Sequence, residues 1–435
     1  MWIRLLKALG ASLAVLLGAA CVTPSPPRWR APSAEELGHP LSLKECLWLA
    51  EASDVRVAQW KARLQAARAE LASAGEIPNP SLEIAWEDVG LRDELGNSLA
   101  TKTYGVSYPL LFWWTKDREV AVAKANLRAE QASIRQDRRL LAQEIGASYF
   151  NLAAAASKVR IQEELLRNAG ESLRLAEEML RLGAASAHEA ESARCEAFQA
   201  EAEFLNSQHE ERVQGLSFAF ALGADRPIQI RVLETDADDL SRVLDEATTG
   251  CLPQALRAKA LEADPACAQA EAARQAAEAQ LQLEYRRILP LSDVQGSAAK
   301  RRGFEGKSRD YLLDIPIPLF SWNRGGVKKA RAELLAAQTE EENARRSAVA
   351  RLSQEWEDCC FARRHYEEFA QPLVRSRAKL AGEAQQLFAM GQISYLELLQ
   401  AREEWRKAES DAVDLWSEAM ASAWRIFYEM EQKLS

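Results

Sequence analysis

The chain carries an internal duplication, which constrains its fold more than any single motif. A first set of identities recurs at a constant offset of 207 residues and pairs Tyr104 with Tyr311. A second set recurs at an offset of 208 residues and pairs Gly183 with Gly391. Two halves of about 200 residues therefore share strand-like, helix-like and turn-like parts in the same order.

Composition favours helices and argues against a nucleic-acid surface. The formal net charge is −9 and the isoelectric point is about 5.4, whereas nucleic-acid binding calls for a basic surface. Ala, Glu, Leu, Arg and Gln dominate long stretches, and the glycines and prolines are clustered. This pattern is typical of long helices, so we interpret the chain as two fused copies of one mainly helical unit.

The N-terminal segment has the features of an export signal. Residues 1–20 contain the basic residues Arg4 and Lys7, followed by an apolar run too short to span a bilayer. The small residues before Cys21 resemble a bacterial lipobox, which implies lipidation of Cys21. The alternative is an ordinary signal peptide with an incidental cysteine. Residues 21–40 are rich in proline and are expected to form an extended, lipidated tether.

Each half is predicted to contain a helix, two strands, a long helix, a turn and a second helix. We assign the first repeat to residues 41–223, an acidic linker to 224–250 and the second repeat to 251–435. The long helix of the first repeat, at about 115–182, would extend for about 100 Å and must pack beside other helices. Its counterpart in the second repeat is expected at about 323–389.

The predicted strands alternate between apolar and polar side chains. The apolar positions are Leu82, Ile84, Trp86, Tyr104, Val106, Tyr108, Tyr311, Leu313 and Ile315. The carboxylates of Glu83, Glu87 and Asp314 lie at the opposite positions. In the second repeat, a basic loop at 300–308 is expected to join the two strands.

Four strands per chain would leave two open sheet edges and an uncovered apolar face. Three copies supply twelve strands, an even number that closes a barrel and turns the apolar face toward lipid. The predicted fold class is therefore mainly α with a small β part. Long antiparallel helices form an α-helical barrel, and the strands contribute to a trimeric transmembrane β-barrel. Glu83, Glu87 and Asp314 would then face the lumen and favour cations, although any water-filled barrel is polar inside.

This doubled order of elements resembles the TolC-type outer membrane factors over about residues 41–433. The resemblance rests on the Asn79-Pro80 strand start, the Tyr-Pro-Leu and Ile-Pro-Leu strand exits, and the paired turns RLGAAS and AMGQIS. The NPSLEIAWEDVG segment with the basic cluster of Lys116 and Arg118 looks most like the CzcC branch, which serves heavy-metal efflux. The resemblance implies a homotrimeric exit duct in the outer membrane. A periplasmic adaptor would join it to an inner-membrane pump of the RND type, without catalysis or a cofactor.

The resemblance also assigns roles to the two helix–helix turns. They are expected to be periplasmic tips that contact the adaptor, with Gly183 and Gly391 permitting the chain reversal. Ser186 and Ser394 are expected to cap the returning helices. The alternative is a plain turn that contacts nothing.

An acidic entrance gate is implied just after the second turn, at Glu397. Three copies of this carboxylate at a constriction would repel anions. A second acidic position of the family falls on Gln400, and the equivalent of Glu397 in the first repeat is Glu189. The alternative is a solvated glutamate on a helix face.

Motifs for catalysis or metal binding are weak in this sequence. The patch at 357–360 with His365 is rich in ligand-type residues, but adjacent cysteines on a helix point about 100° apart and do not chelate as Cys-x-x-Cys does. We therefore predict no metal site, no cofactor and no enzyme activity. Two alternatives stay open: a multidrug or type I secretion channel, and a lipid-tethered coiled-coil scaffold without a pore.

Overall fold

The computed structural model describes residues 40–53, 55–92, 94–96, 100–183, 186–224, 230, 254–303 and 306–430. The predicted signal peptide, Cys21, residues 21–39 of the tether and most of the linker at 224–250 lie outside the described residues.

The described chain is mainly helical and has one small sheet. Its helices are α1 (Leu43–Ser53), α2 (Val55–Gly75), α3 (Trp113–Arg181), α4 (Ala187–Ala221), α5 (Gln254–Ala263), α6 (Pro265–Arg286), α7 (Arg324–Arg364), α8 (Gln371–Ala389) and α9 (Tyr395–Met430). Its strands are β1 (Ser81–Glu87), β2 (Thr101–Pro109), β3 (Gln295–Gly303) and β4 (Gly306–Asp314). The predicted fold class, mainly α with a small β part, is confirmed.

The predicted long helices are present in both halves. Helix α3 has 69 residues, which corresponds to about 100 Å, and packs against α2, α4, α6 and α9. In the second half, α7 and α8 are joined by a π-helical turn at His365–Ala370. Pro372 follows this turn and has no backbone N–H to donate, so the regular hydrogen-bond ladder is interrupted there.

Capping residues stand at the start of two helices. The backbone N–H of Ser42 donates to the Glu45 carboxylate at 2.8 Å at the start of α1, as in a capping box. Asp264 caps α6 and accepts hydrogen bonds from the backbone N–H groups of Ala266 and Cys267. Pro265 occupies the first helical position, where no backbone donor is needed.

The four strands form one antiparallel sheet in the order β1-β2-β3-β4. The central pair, β2 with β3, joins the hairpin of the first repeat to the hairpin of the second. Leu82 lies opposite Val106, and Ile84 opposite Tyr104, so these predicted apolar positions share a face. Ile315 was predicted to belong to the same set, but β4 ends at Asp314. Within the described residues β1 and β4 each have a single partner strand, so both edges of the sheet are open.

The prediction of a basic loop between the last two strands is wrong. Lys300, Arg301 and Arg302 lie in β3, and Lys307 lies in β4. The two strands stay paired up to the Gly303–Gly306 pair, which leaves two residues for the connection. Basic side chains alternate between the two faces of a strand as readily as they occupy a loop, which is why composition misled the prediction.

The main apolar core lies among the helices, where the two halves meet. It contains the fully buried rings of Tyr149, Phe150, Phe218 and Trp356. The buried indole N–H of Trp424 donates to the backbone carbonyl of Ala142 at 2.9 Å, which ties α9 to α3. The sheet lies outside this core, so most of its large apolar side chains are exposed in the single chain.

Candidate channel wall and helix tips

The two faces of the sheet carry opposite charge. Directly opposed residues in adjacent strands share a face, so the register assigns every side chain to one of them. The first, named here the acidic face, has as its ionisable residues Glu83, Glu87, Arg301, Asp310 and Asp314. The structure therefore places the three carboxylates predicted from the sequence on one face and adds Asp310 to them.

Part of the charge on the acidic face is neutralised internally. Arg301 lies 3.7 Å from Glu87 and 3.4 Å from Asp310. These groups are about half exposed, so such ion pairs contribute less than about 1 kcal/mol each. Among the described residues no cation forms an ion pair with Glu83 or Asp314, so these two carboxylates carry the uncompensated negative charge of the face.

The second face, named here the apolar face, exposes large apolar side chains. The residues of this face whose side chains the structure describes are Leu82, Ile84, Trp86, Lys102, Tyr104, Val106, Tyr108, Gly296, Ala298, Lys300, Arg302, Arg309, Tyr311 and Leu313. Leu82 is 71% exposed and Tyr311 is 77% exposed. A contiguous apolar surface of this kind requires a lipid or protein cover.

The first helix tip is built around a reciprocal capping interaction. Gly183 has φ +75°, a left-handed conformation that glycine adopts without strain. The Ser186 hydroxyl accepts from the Glu189 backbone N–H at 3.2 Å, and the Ser186 backbone N–H donates to the Glu189 carboxylate at 2.7 Å. This backbone hydrogen bond holds the pKa of Glu189 below its ordinary value. Ala184 and Ala185 lie outside the described residues.

The second tip repeats this construction. Gly391 has φ +69°, and Ser394 donates its backbone N–H to Glu397 at 2.8 Å. The Glu397 backbone N–H donates in turn to the Ser394 hydroxyl at 3.3 Å. The carboxylate proposed as an entrance gate is therefore an exposed capping group at the start of α9. Its role as a gate stays a prediction.

A polar network beside the second tip was missed by sequence reasoning. The Tyr395 hydroxyl donates to the Glu196 carboxylate at 2.5 Å, which links α9 to α4. Arg406 lies 3.6 Å from the same carboxylate, and Arg402 donates to the Ser172 hydroxyl of α3 at 3.0 Å. Burial first, and then the bond to Glu196, raise the pKa of Tyr395.

One signal in the sequence could have revealed this network. Tyr395 corresponds to Ala187 at the offset of 208 residues, so the two copies differ there by a large aromatic side chain with a hydroxyl group. A tyrosine present in only one of the two repeats indicates a contact that the other repeat does not make.

The described residues contain no group of three or more His, Cys, Asp or Glu side chains arranged to hold a metal ion. In the patch at 357–360, Cys359 is buried and burial raises the pKa of its thiol to about 11.

The described helices include none with enough length and apolar character to cross a membrane.

Comparison with known proteins gives matches along most of the chain. A sequence model of the family described as "Outer membrane efflux protein" matches residues 47–224 and 256–424. The chain is 28% identical over 326 residues to the nickel and cobalt resistance protein CnrC of Cupriavidus metallidurans, covering 74% of this chain and 73% of that protein. It is 27% identical over 309 residues to the nickel-cobalt-cadmium resistance protein NccC of Alcaligenes xylosoxydans xylosoxydans, covering 67% and 66%.

A solved structure shows the same fold. The chain superposes on the outer membrane protein VceC of Vibrio cholerae with a TM-score of 0.68 and 18% identity. The superposition covers 89% of this chain and 95% of that one.

Proposed function

This chain belongs to the outer membrane efflux protein family, and on that premise we propose that it is the outer membrane channel of a tripartite efflux system for heavy-metal cations. Three copies would form a passive exit duct. A periplasmic adaptor would couple the duct to an inner-membrane pump of the RND type. The names of the relatives CnrC and NccC, which are resistance proteins for nickel, cobalt and cadmium, support the choice of cargo.

The observation that carries the proposal is a sheet with two open edges and one exposed apolar face. Four consecutive antiparallel strands leave β1 and β4 running in opposite directions. Strand β4 of one chain beside β1 of the next would therefore continue the antiparallel pattern. Three chains would close a twelve-strand barrel, in which every edge is paired and the apolar face meets lipid.

With the apolar face toward lipid, the acidic face lines the lumen. Glu83 and Asp314 would then give the pore wall a negative charge, which attracts cations and repels anions. This arrangement suits divalent metal cargo. A multidrug or protein cargo would not need it, so the acidic face favours the metal reading over those alternatives.

The helix tips would lie at the periplasmic end of the duct. Gly183 and Gly391 reverse the chain there, and Ser186 and Ser394 start the returning helices. All four residues are exposed and would be open to contact with an adaptor. Lipidation at Cys21 would anchor the N-terminal segment to the outer membrane, at the opposite end of the duct from the tips. Each of these assignments is part of the proposal.

Two measurements test the duct. Outer membrane fractions should contain heat-modifiable trimers. On electrophoresis, the unheated trimer should run faster than expected for three unfolded chains, and heating should abolish this difference. The purified protein should also produce discrete single-channel conductance in planar bilayers. A lipid-tethered scaffold would give neither a heat-modifiable trimer nor conductance, and this result would refute the pore.

A third measurement tests the cargo. A host that lacks its own metal-efflux channel is given this chain together with the matching pump and adaptor. Accumulated nickel and cobalt should fall several-fold relative to a host that receives pump and adaptor alone. If both hosts accumulate the same amount of metal, and this chain instead restores export of a drug or a protein, the choice of cargo is contradicted. The proposal that the chain forms a duct would not be.

A further inference from the structure

We propose that four cations on the apolar face, Lys102, Lys300, Arg302 and Arg309, bind phosphate groups of lipid in the outer leaflet of the outer membrane. The name basic row is used for these four residues. The inference rests on the proposed function, since it needs the apolar face to meet lipid.

The register brings the basic row together at one end of the sheet. Lys102 lies opposite Arg302, and Lys300 lies opposite Arg309. The helices leave the sheet at its other end, where Pro109 of β2 and Asp314 of β4 precede the long helices. With the helices in the periplasm, the basic row would lie toward the cell exterior.

The basic row differs in its ion pairing from Arg301, a cation of β3 on the other face. Arg301, on the acidic face, lies within 4 Å of two carboxylates. All four residues of the basic row are exposed, and none has a carboxylate partner among the described residues. No residue of the four strands on the apolar face is acidic, so the charge there is uncompensated.

The position of these cations within the apolar face fits a membrane interface. A lysine or arginine on the lipid face costs about 2–4 kcal/mol at the bilayer midplane and almost nothing at the headgroup level. The basic row lies at the end of the sheet beyond Leu82, Val106 and Leu313, at the level of Trp86 and Tyr104. Four cations in one place are therefore tolerable only at the headgroup level.

Aromatic neighbours mark the same level. Trp86 lies directly opposite Lys102, and Tyr104 lies directly opposite Lys300. Indole and phenol rings concentrate at membrane–water interfaces because each has an apolar body and a polar tip. Phosphate is the anion that headgroups present there, and arginine and lysine bind it through charge-assisted hydrogen bonds.

The test uses purified trimers in non-ionic detergent and native mass spectrometry to count retained lipid. The probes are lipid A with two phosphates and lipid A with one phosphate. Wild-type trimers should retain the diphosphorylated lipid more strongly. The triple variant Lys300→Gln, Arg302→Gln, Arg309→Gln should lose about fivefold in retention for each cation removed, or about a hundredfold in all.

A charge-matched control removes three exposed cations from α7, through Lys328→Gln, Lys329→Gln and Arg346→Gln. This control should retain lipid A as the wild type does. Equal retention of lipid by the triple variant and this control would overturn the proposal. Equal binding of both lipids by the wild type would also overturn it, and this arm needs no variant to fold.

The same preparations are tested for single-channel conductance, which separates the two proposals. A wild-type protein that conducts without preferring the diphosphorylated lipid would overturn only the lipid site. A wild-type protein that neither forms trimers nor conducts would overturn the duct and, with it, the lipid site.

Discussion

Glu397 accepts hydrogen bonds from both the backbone N–H and the hydroxyl of Ser394, at 2.8 and 3.1 Å. Ser186 and Glu189 form the same pair of bonds at 2.7 and 3.0 Å in the first repeat. The two tips are therefore built alike, 208 residues apart. A functional difference between them must come from their surroundings, since the caps are the same.

The first prediction distinguishes the capping role of Glu397 from its proposed role as an entrance gate. Glutamine can replace glutamate at this position of a capping box, so Glu397→Gln should keep the tip folded while removing its charge. If Glu397 lines the entrance, the variant should lose several-fold in cation over anion permeability in planar bilayers. Glu189→Gln is the matched control and should leave selectivity unchanged. If Glu397→Gln and Glu189→Gln have the same cation over anion permeability, Glu397 does not act as the gate.

The second prediction concerns the acidic face. The double variant Glu83→Gln, Asp314→Asn removes two carboxylates that have no ion pair among the described residues, so the permeability ratio of cations to anions should fall several-fold. The ratio is read from reversal potentials in a salt gradient. Glu70→Gln with Glu340→Gln, on exposed positions of α2 and α7, matches the charge change. An unchanged ratio in the double variant would show that this face does not line the pore.

The third prediction concerns Tyr395. Tyr395→Phe removes its hydrogen bond to Glu196 and should lower the free energy of unfolding by about 1–3 kcal/mol, since the acceptor is charged. Because the pKa of Tyr395 is raised in the folded state, this stabilisation is present below about pH 10 and is lost as pH rises through the folded pKa.

Chemical denaturation of wild type and variant at neutral and alkaline pH measures this difference. The difference in denaturation midpoint between wild type and Tyr395→Phe should narrow above about pH 10. Tyr366→Phe is the control, because its hydroxyl has no hydrogen-bond partner among the described residues. If this difference is the same at every pH, the Tyr395 hydroxyl proton does not stabilise the fold as predicted.

The fourth prediction concerns the buried Asp264. It lies 3.2 Å from the buried Arg139, and Arg351 also donates to it. Burial acts to raise the pKa of Asp264, but the backbone N–H of Cys267 and the two guanidinium groups lower it overall. Stability from this group is therefore present above about pH 4 and is lost as pH falls through the lowered pKa.

Asp264→Asn should lower the free energy of unfolding by about 3–5 kcal/mol at pH 7, because it removes the anion of a buried ion pair with Arg139. The variant should also lose part of the acid dependence seen below about pH 4. Tryptophan fluorescence in urea at several pH values measures both effects. Glu144→Gln, which breaks an exposed pair with Arg56, should cost less than about 1 kcal/mol. A similar loss in both variants would contradict the prediction.

The fifth prediction compares two glycines of α3. A β-carbon on Gly146 would overlap the ring of Trp424, whereas one on Gly170 would meet nothing within 4 Å. Gly146→Ala should therefore displace α9 and destabilise the fold by about 1–3 kcal/mol. Gly170→Ala should stabilise the helix by about 0.5–1 kcal/mol. Thermal unfolding measures both, and shifts in the same direction would contradict the close approach of α9 to Gly146.

Local patterns were enough to predict many of the elements. Ser42 with Glu45 marks the start of α1, and Asp264 with Pro265 marks the start of α6, because caps act over three or four residues. Alternation placed Glu83 and Glu87 on one face, since this period is a property of a single strand. The π-helical turn before Pro372 was not foreseen, although a proline inside a helix is a local signal.

The sequence by itself determined the duplication, the helices, the turns and the side of each strand on which a residue lies, because these depend on neighbours within a few positions. Only the tertiary structure decided that β2 pairs with β3, so that the two hairpins become one sheet with Arg301 among carboxylates and the basic row on the apolar face. Tertiary packing also brought Tyr395 to Glu196, across 199 residues of chain. Such contacts depend on how distant elements pack, and no short-range periodicity encodes the partner.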